Sequence, residues 1–285
     1  MENKLLVPEQ RASHHHPSSK QQEECPVKII VLVKQVPDTW GERSLDSATG
    51  ALDRSAPDNI IDEISDRSLE VALRHKDETG AEIIVLTMGP ASAAVALRHC
   101  LAMGADSAVH VLDDALAGAD VTWTSSVLAA AITHAGFDMV IAGNESTDGR
   151  GGVIPAMVAE HLSVPHLTSL SEVHIAADVV NGSRETDYGT LTVTARLPAI
   201  ISVTEQSPDA RFPSFKGLLK AKKKPLATLS LSDLSINPET SFGSTGRSTI
   251  TTVTRRPART AGIKIVDSGN AGVELAEFLA AGRFV

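Results

Sequence analysis

The stretch Met139-Val140-Ile141-Ala142, continuing as Gly143-Asn144-Glu145-Ser146-Thr147-Asp148-Gly149-Arg150-Gly151-Gly152-Val153-Ile154-Pro155 and then Ala156-Met157-Val158-Ala159-Glu160-His161-Leu162, decides the architecture. The apolar run predicts a buried strand and the last segment a helix, with a Gly-rich, hydroxyl-bearing loop between them. A loop of that kind at a helix N-terminus receives phosphate. Glycine lets backbone N–H groups approach an anion, and the helix dipole adds partial positive charge. A tight strand-to-helix connection that only needs flexible residues has the same composition, so the flanking segments must decide.

Working outward, strand and helix alternate. Val27-Lys28-Ile29-Ile30-Val31-Leu32-Val33 is a β-branched run, the mark of a strand buried on both faces. Residues 62–77 predict a helix, with Ile61, Ile64, Leu69, Ala72 and Leu73 on one face and Asp62, Glu63, Asp66, Arg67, Glu70 and Arg74 toward water. Ile83-Ile84-Val85-Leu86-Thr87 is a second strand ending at Gly89-Pro90. An Ala-rich helix over 91–103 stops at Gly104, suited to a C-cap. Val109-His110-Val111-Leu112 is a third strand, and residues 121–134 a further helix. This alternation predicts an α/β fold: a doubly wound, mainly parallel sheet. Ligands in such sheets sit at the carboxyl ends of the strands. Four segments arrive there: 34–38, 87–90, Asp113 with Asp114, and the Gly143 loop. After the first strand Lys34-Gln35-Val36-Pro37-Asp38 stands where a dinucleotide fold has GxGxxG, and GxxxxGK[ST] is absent.

After Pro165 the character changes. Residues 170–175, 179–185, 190–196 and 199–203 read as successive strands, a β-rich excursion. Asn181-Gly182 is one turn signal; a turn at Ala177-Asp178, with Gly182 as a bulge, is the other. Pro208 and Pro213 make 207–215 a loop. Residues 217–224 predict a short basic helix ended by Pro225. Beyond Ser230 the composition becomes Ser/Thr-rich through Thr254, with no long periodic segment until the helical stretch over 273–279, so 231–285 reads as an extended C-terminal arm. Three divisions result: a disordered N-terminal extension over 1–26, an α/β domain over 27–230, and the arm. The histidines at 14–16 in the extension are read as a polar tail without function.

Bulk properties exclude several classes. A formal net charge of −9 argues against a nucleic-acid surface. Cys25 and Cys100 make neither a disulfide framework nor a zinc site, and suit a reducing, cytoplasmic compartment. No apolar run approaches the ~20 residues of a membrane span. No catalytic constellation is evident: the histidines are scattered, with no HExxH and no Ser-His-Asp order.

Eight pieces in order carry a resemblance spanning about 27–285: Val31-Leu32-Val33-Lys34-Gln35-Val36-Pro37-Asp38, Ala102-Met103-Gly104-Ala105-Asp106, Ala142-Gly143-Asn144-Glu145-Ser146-Thr147-Asp148-Gly149, Arg184-Glu185-Thr186-Asp187-Tyr188-Gly189, Leu197-Pro198-Ala199-Ile200-Ile201-Ser202-Val203, Arg211-Phe212-Pro213-Ser214, Ala221-Lys222-Lys223-Lys224 and Arg259-Thr260-Ala261-Gly262. Together they resemble the β subunit of an electron-transfer flavoprotein, and the Thr147-Asp148-Gly149 form resembles actinobacterial members. The resemblance implies that the doubly wound sheet is of adenine-nucleotide-binding type, and that the chain is a non-catalytic electron carrier paired with an α subunit that holds FAD and receives the arm. Its electrons come from flavin dehydrogenases of the acyl-CoA dehydrogenase type and pass to a membrane quinone oxidoreductase, with no membrane insertion of its own. In the usual members the β subunit holds a structural AMP; in electron-bifurcating relatives a second FAD takes the same pocket. AMP is the expectation here, since the loop is short and Arg150 suits a terminal phosphate.

Carried over by position, the resemblance assigns the nucleotide pocket to Leu32, to Asp62, Glu63, Ile64 and Ser65, to Met88, and to Gly143, Asn144, Glu145, Ser146, Thr147, Asp148, Gly149, Arg150, Gly151, Gly152, Val153 and Ile154. Asp148 is the odd member: a carboxylate in an anion cradle repels unless it caps the helix or binds a ribose hydroxyl. Arg184, Glu185 and Asp187 are either solvated charges at a turn or part of a subunit interface. The partner-docking loop falls on Ser207, Arg211 and Phe212, where the family's apolar anchor has become Ser207. Either the chain serves a different partner, or Phe212 or Phe215 replaces the anchor. Two other readings of the α/β pattern fit less of the sequence. An ATP-pyrophosphatase-type ligase wants a Ser-Gly-Gly-x-Asp-Ser loop after the first strand. A nucleotide-sensing stress protein is about half this length and lacks the β-rich tail.

Overall fold

The computed structural model describes residues 26–41, 43–54, 58–237, 239, 248, 250–254, 256–262, 264 and 266–284. The extension and its histidines lie outside the described residues, apart from Pro26. In chain order the elements are β1 (Lys28–Leu32), β2 (Gln35–Pro37), β3 (Asn59–Ile61), α1 (Glu63–Thr79), β4 (Glu82–Met88), α2 (Ala94–Met103), β5 (Ser107–Val111), α3 (Val121–Ala135), β6 (Met139–Gly143), α4 (Ile154–Leu162), β7 (His166–Leu170), β8 (Glu172–Ile175), β9 (Val179–Thr186), β10 (Gly189–Arg196), β11 (Ala199–Val203), α5 (Phe215–Ala221), β12 (Leu226–Leu229) and α6 (Ala271–Ala281).

Seven strands form one sheet in the order β12-β5-β4-β1-β6-β11-β7. Every neighbouring pair is parallel. The β1 run shows why the sheet is covered on both sides. Ile29 and Val31 enter one core with Leu69 and Leu73 of α1 and Leu97 and Leu101 of α2. Ile30 and Leu32 enter the other with Trp123, Val127 and Ile132 of α3 and Val158 of α4. Alternate side chains of a strand point to opposite faces, so a strand of unbroken β-branched residues needs helices above and below. Each fully buried Ile or Leu contributes roughly 1.5–3 kcal/mol, so β1 is a strong organiser.

Chain direction places the switch point beside β1. The path from β1 through α1 to β4, and through α2 to β5, builds one half of the sheet; α3 then carries the chain to β6 on the other side of β1. The carboxyl ends of β1 and β6 therefore diverge into a crevice. Helix α1 starts where Asp62 accepts the Ile64 N–H, and it stops at Gly80, whose φ of 78° is left-handed.

Several expectations are corrected after Pro165. Residues 170–175 are two strands meeting at Ser171, β7 in the parallel sheet and β8 in a three-stranded antiparallel sheet of order β10-β9-β8. Read as the last of four successive strands, β11 instead inserts between β6 and β7; Ala199, Ile200, Ile201 and Val203 are all fully buried, which only a central strand allows. The turn between β8 and β9 falls at Ala177-Asp178, and Gly182 is no bulge, since β9 keeps an unbroken register with both neighbours. Glycine is required there by close approach: a Cβ would lie 2.6 Å from Leu170 Cδ1 and 2.9 Å from the Glu172 carbonyl oxygen. The basic helix begins earlier than expected, at Phe215, because Ser214 caps it through the Gly217 N–H. Edge strand β12 follows Pro225 and was not legible as a strand.

The chain divides into two compact units, the larger comprising residues up to 44 and from 52 to 249. The smaller joins Leu45–Ala51 to Ile250–Val285. Within it Gly50, at φ 70°, packs against Ile250 and Val253. Helix α6 has no buried residue.

Candidate functional site

A cavity of about 280 Å³ opens at the carboxyl ends of β1, β4 and β6. Leu32, Leu86, Met88 and Leu128 supply apolar wall. The loop contributes Gly143, Asn144, Glu145, Ser146, Gly149, Gly151 and Gly152, and the first turn of α4 contributes Ile154 and Pro155. Helix α3 brings a second N-terminus to the same wall through Asp120, Val121 and Thr124. Its first turn is capped, since Asp120 accepts the Trp123 N–H at 2.9 Å. Helix α4 opens without a side-chain cap. An uncapped helix start beside glycines is an anion-receiving surface.

The loop is held by a second stretch of chain, the connection from β1 to α1. Asp62 is fully buried, and one oxygen accepts both the N–H and the hydroxyl of Thr147, each at 2.7 Å. Arg43 donates to the Thr147 carbonyl at 2.5 Å and to the Pro37 carbonyl at 2.6 Å. Lys34, at the end of β1, donates through Nζ to Ser146 Oγ at 3.1 Å and Asp148 Oδ1 at 2.8 Å. Arg54 reaches the other Asp148 oxygen at 2.7 Å. Burial alone would raise the Asp148 pKa, but hydrogen bonds and charge from Lys34, with Ser146 and Arg54, hold it well below the usual carboxylate range.

Of the residues assigned by position, Leu32, Ser65, Met88, Gly143, Asn144, Glu145, Ser146, Gly149, Gly151, Gly152 and Ile154 meet around the cavity. The rest lie elsewhere. Asp62 and Ile64 are buried behind the wall; Ile64 touches Gly143, where a Cβ would lie 2.9 Å from its Cγ2. Glu63, Arg150 and Val153 are exposed and off the wall, and Thr147 is turned to Asp62. Asp148 does not cap α4, whose cap position is Val153; its side chain is drawn inward to two cations instead. Asp113 and Asp114 are off the wall too, and Asp113 bonds the Ala115 and Leu231 N–H groups. The positions assigned to the pocket left out Leu86, Asp120, Val121, Thr124 and Leu128, of which the helix-start signal at Asp120 could have found Asp120, Val121 and Thr124; Lys34 stood in the strand-end segment 34–38 but was not assigned to the pocket.

The residues fit a nucleotide. Asn144 Oδ1 is buried in the wall without a hydrogen-bond partner, a polar atom suited to a ligand N–H or O–H. Apolar wall at Leu32, Met88 and Leu128 suits a base face, and Gly151 and Gly152 with the α4 start suit phosphate, whereas the Gly149 N–H is taken by Asp148 Oδ1 at 2.7 Å. A larger groove of about 580 Å³ runs between α1 and the antiparallel sheet, away from the strand ends, past His75, His174 and Ser207.

The segment read as the docking loop lies along α1. Ser207 is 1% exposed, its carbonyl accepting from Arg67. Arg67 also pairs with Asp209 at 2.7 Å. Arg211 pairs with buried Glu70 at 2.8 Å and with Asp77 at 2.8 Å. Burial opposes ionisation of Glu70, yet bonds from Arg211 and Arg74 lower its pKa. Phe212 and Phe215 project outward, 95% and 78% exposed. Arg184 donates to Thr168 Oγ1 at 2.5 Å, and Glu185 accepts from Thr190 on the neighbouring strand, so these two are bonded within the fold.

Fold and cavity together define a doubly wound α/β protein with a cavity at the sheet's switch point. The family model described as Electron transfer flavoprotein domain matches residues 49–234. Proteins called electron transfer flavoprotein subunit beta in Mycobacterium bovis and Mycobacterium tuberculosis are 45% identical over 263 residues, covering 90% of this chain and 99% of theirs. The Mycobacterium leprae protein of that name is 44% identical over the same length. The chain belongs to the electron transfer flavoprotein β-subunit family, whose members carry electrons. No helix among the described residues is long and apolar enough to cross a membrane.

Proposed function

We propose that the chain is the β half of a heterodimeric electron carrier and holds AMP, as a structural nucleotide, in the switch-point cavity. The observation that carries this is the cavity itself: about 280 Å³, with the unpartnered Asn144 amide oxygen in its wall and the uncapped start of α4 at its end. Small-molecule pockets span about 300–1,000 Å³, and the lower end of that range has room for a mononucleotide rather than a dinucleotide. The redox FAD is held mainly by an α subunit and supplies the electron-carrying chemistry; this chain is not catalytic alone. Of the arm read over 231–285, the part from 250 packs on that subunit, a reading supported by the exposed Val273, Leu275 and Phe278 of α6, while Leu231, with Leu234 and Ile236 against it, belongs to the core of the α/β unit. Electrons come from flavin dehydrogenases of the acyl-CoA dehydrogenase type and leave to a membrane quinone oxidoreductase. The free, buried thiol of Cys100 suits a cytoplasmic, reducing setting.

The test is co-expression with a candidate α subunit, followed by mass analysis of the nucleotides released from the purified complex. A yellow heterodimer yielding equal amounts of FAD and AMP supports the reading. Two FAD and no AMP indicate an electron-bifurcating member, and a colourless homodimer that hydrolyses ATP overturns the reading entirely.

A further inference from the structure

We propose that Lys34 is the side chain that reads the phosphate of the bound nucleotide, and that the Asp148–Arg54 pair keeps it aimed. This rests on the nucleotide reading above and goes beyond it, since the loop alone suggests backbone recognition with Arg150 as the added cation.

Among the described residues lining the cavity, Lys34 is the one cation, while Asp120 and Glu145 bring two carboxylates. A phosphate entering that wall meets like charge unless a cation stands beside it. Arg150 does not serve: it is exposed and off the wall. Lys34 is well placed. Its Nζ lies 3.9 Å from where a Cβ on Gly149 would stand, so it sits against the Gly-rich loop. Its backbone N–H is fixed by Ser65 Oγ at 3.3 Å. An ammonium carries three N–H donors. Two go to Ser146 and Asp148, which leaves the third for a ligand.

The pairing with Asp148 would seem to spend the charge of Lys34. Arg54 removes that objection. Asp148 is one carboxylate between two cations, its side chain 1% exposed. Arg54 keeps it paired, so the three groups sum to one net positive charge on the side of the loop that Lys34 faces. Arg54 itself lies off the wall.

Calorimetric titration of the nucleotide-depleted heterodimer with AMP and with adenosine tests the idea, because the two ligands differ only in the phosphate. Lys34→Gln is expected to weaken AMP by about 10- to 100-fold and to leave adenosine within about twofold. Lys34→Arg, which keeps the charge, is expected to retain more AMP affinity than Lys34→Gln. Arg54→Gln is expected to weaken AMP by roughly three- to tenfold with adenosine spared, because Asp148 then claims Lys34 for itself. Equal loss of AMP and adenosine in Lys34→Gln, or no loss of either, overturns the proposal. If Lys34→Gln fails to assemble, Arg54→Gln decides: a loss confined to AMP supports the proposal and unchanged AMP affinity overturns it. A wild-type complex that takes up no AMP removes the nucleotide reading and this proposal with it. AMP binding indifferent to Lys34 and Arg54 removes only this one.

Discussion

One carboxylate oxygen of Asp62 accepts both the N–H and the hydroxyl of Thr147, so the residue that caps α1 also pins the loop between β6 and α4. The other oxygen is taken by the Ile64 N–H at 3.0 Å. Loop shape is therefore set by a helix start more than eighty residues upstream. Asp62→Ala strands three donors beside a buried site. A lost cap costs about 1 kcal/mol and each of the two stranded Thr147 donors about 1–3 kcal/mol, so the variant is expected to lose at least about 3 kcal/mol. Urea unfolding of the purified complex measures this; a loss below about 0.5 kcal/mol would show that the latch does not hold the loop.

Gly143 closes against the same helix start. A Cβ there would sit 2.9 Å from Ile64 Cγ2 and 3.2 Å from the Glu145 carbonyl oxygen, one a side chain packed behind the wall and the other backbone. Gly143→Ala is expected to cost about 1–3 kcal/mol and to shift the loop, lowering nucleotide affinity along with the melting temperature. A variant that melts like the wild type while losing affinity would place the effect on the ligand rather than on Ile64.

Acid stability follows from two depressed carboxylates. Glu70 and Asp148 both have folded pKa values below their ordinary ones. Each then adds stability that is complete above the ordinary carboxylate range and is lost as pH falls through the folded value. For Glu70 the loss belongs below its usual 4.5. Denaturation midpoints taken between about pH 7 and 3 should fall for the wild type and fall less steeply for Glu70→Gln, which has nothing to protonate at that position. Equal slopes would mean the Arg211 strap is already broken above the acid range.

The α/β pattern was legible because its signals are local. The β1 run and the strand before Gly143 are apolar without interruption, and Gly80 and Gly104 punctuate the helices after them. The excursion was harder for a physical reason: β7 and β8 are contiguous but belong to different sheets, and only partners distant in sequence reveal the break at Ser171. The fate of β11 was equally non-local, since its burial depends on β6 and β7 closing around it. In the site, glycine and hydroxyl positions could be read from the loop alone. The roles of Lys34, Arg54 and Asp62 could not, because each acts across about 85 to 114 residues of chain. Asp148 illustrates the limit: its charge was visible, but not the two cations that neutralise it.

Helix α6 bears on assembly. It presents Val273, Leu275 and Phe278 to solvent, with none of its residues buried. Apolar side chains on a helix without a buried face imply a covering surface, which the proposed α subunit provides. Removing residues 271–284 is expected to leave the unfolding free energy of the remaining chain, from urea titration, within about 0.5 kcal/mol and to abolish co-purification with the α subunit. Retained co-purification would assign assembly to other surfaces.

The segment read as the docking loop presents the sharpest contrast between neighbours. Ser207 is buried and Arg211 is committed to Glu70 and Asp77, whereas Phe212 is almost wholly exposed and Phe215 stands one helical start away, beside Lys216 and Lys220. An exposed aromatic pair among lysines suits a partner with an apolar socket and an acidic rim, the lysines raising the association rate and the rings supplying contact area. A buried large side chain contributes roughly 1.5–3 kcal/mol, so Phe212→Ala with Phe215→Ala is expected to weaken partner binding by at least about tenfold. Because neither ring is buried in the chain, its own stability should change by less than about 0.5 kcal/mol for each. Stopped-flow reduction of the flavin complex by a donor dehydrogenase at sub-saturating concentration reads the effect. Raised salt should slow the wild type and the double variant alike, since the lysines remain. A double variant reduced as fast as the wild type at every donor concentration would move the docking site away from α5.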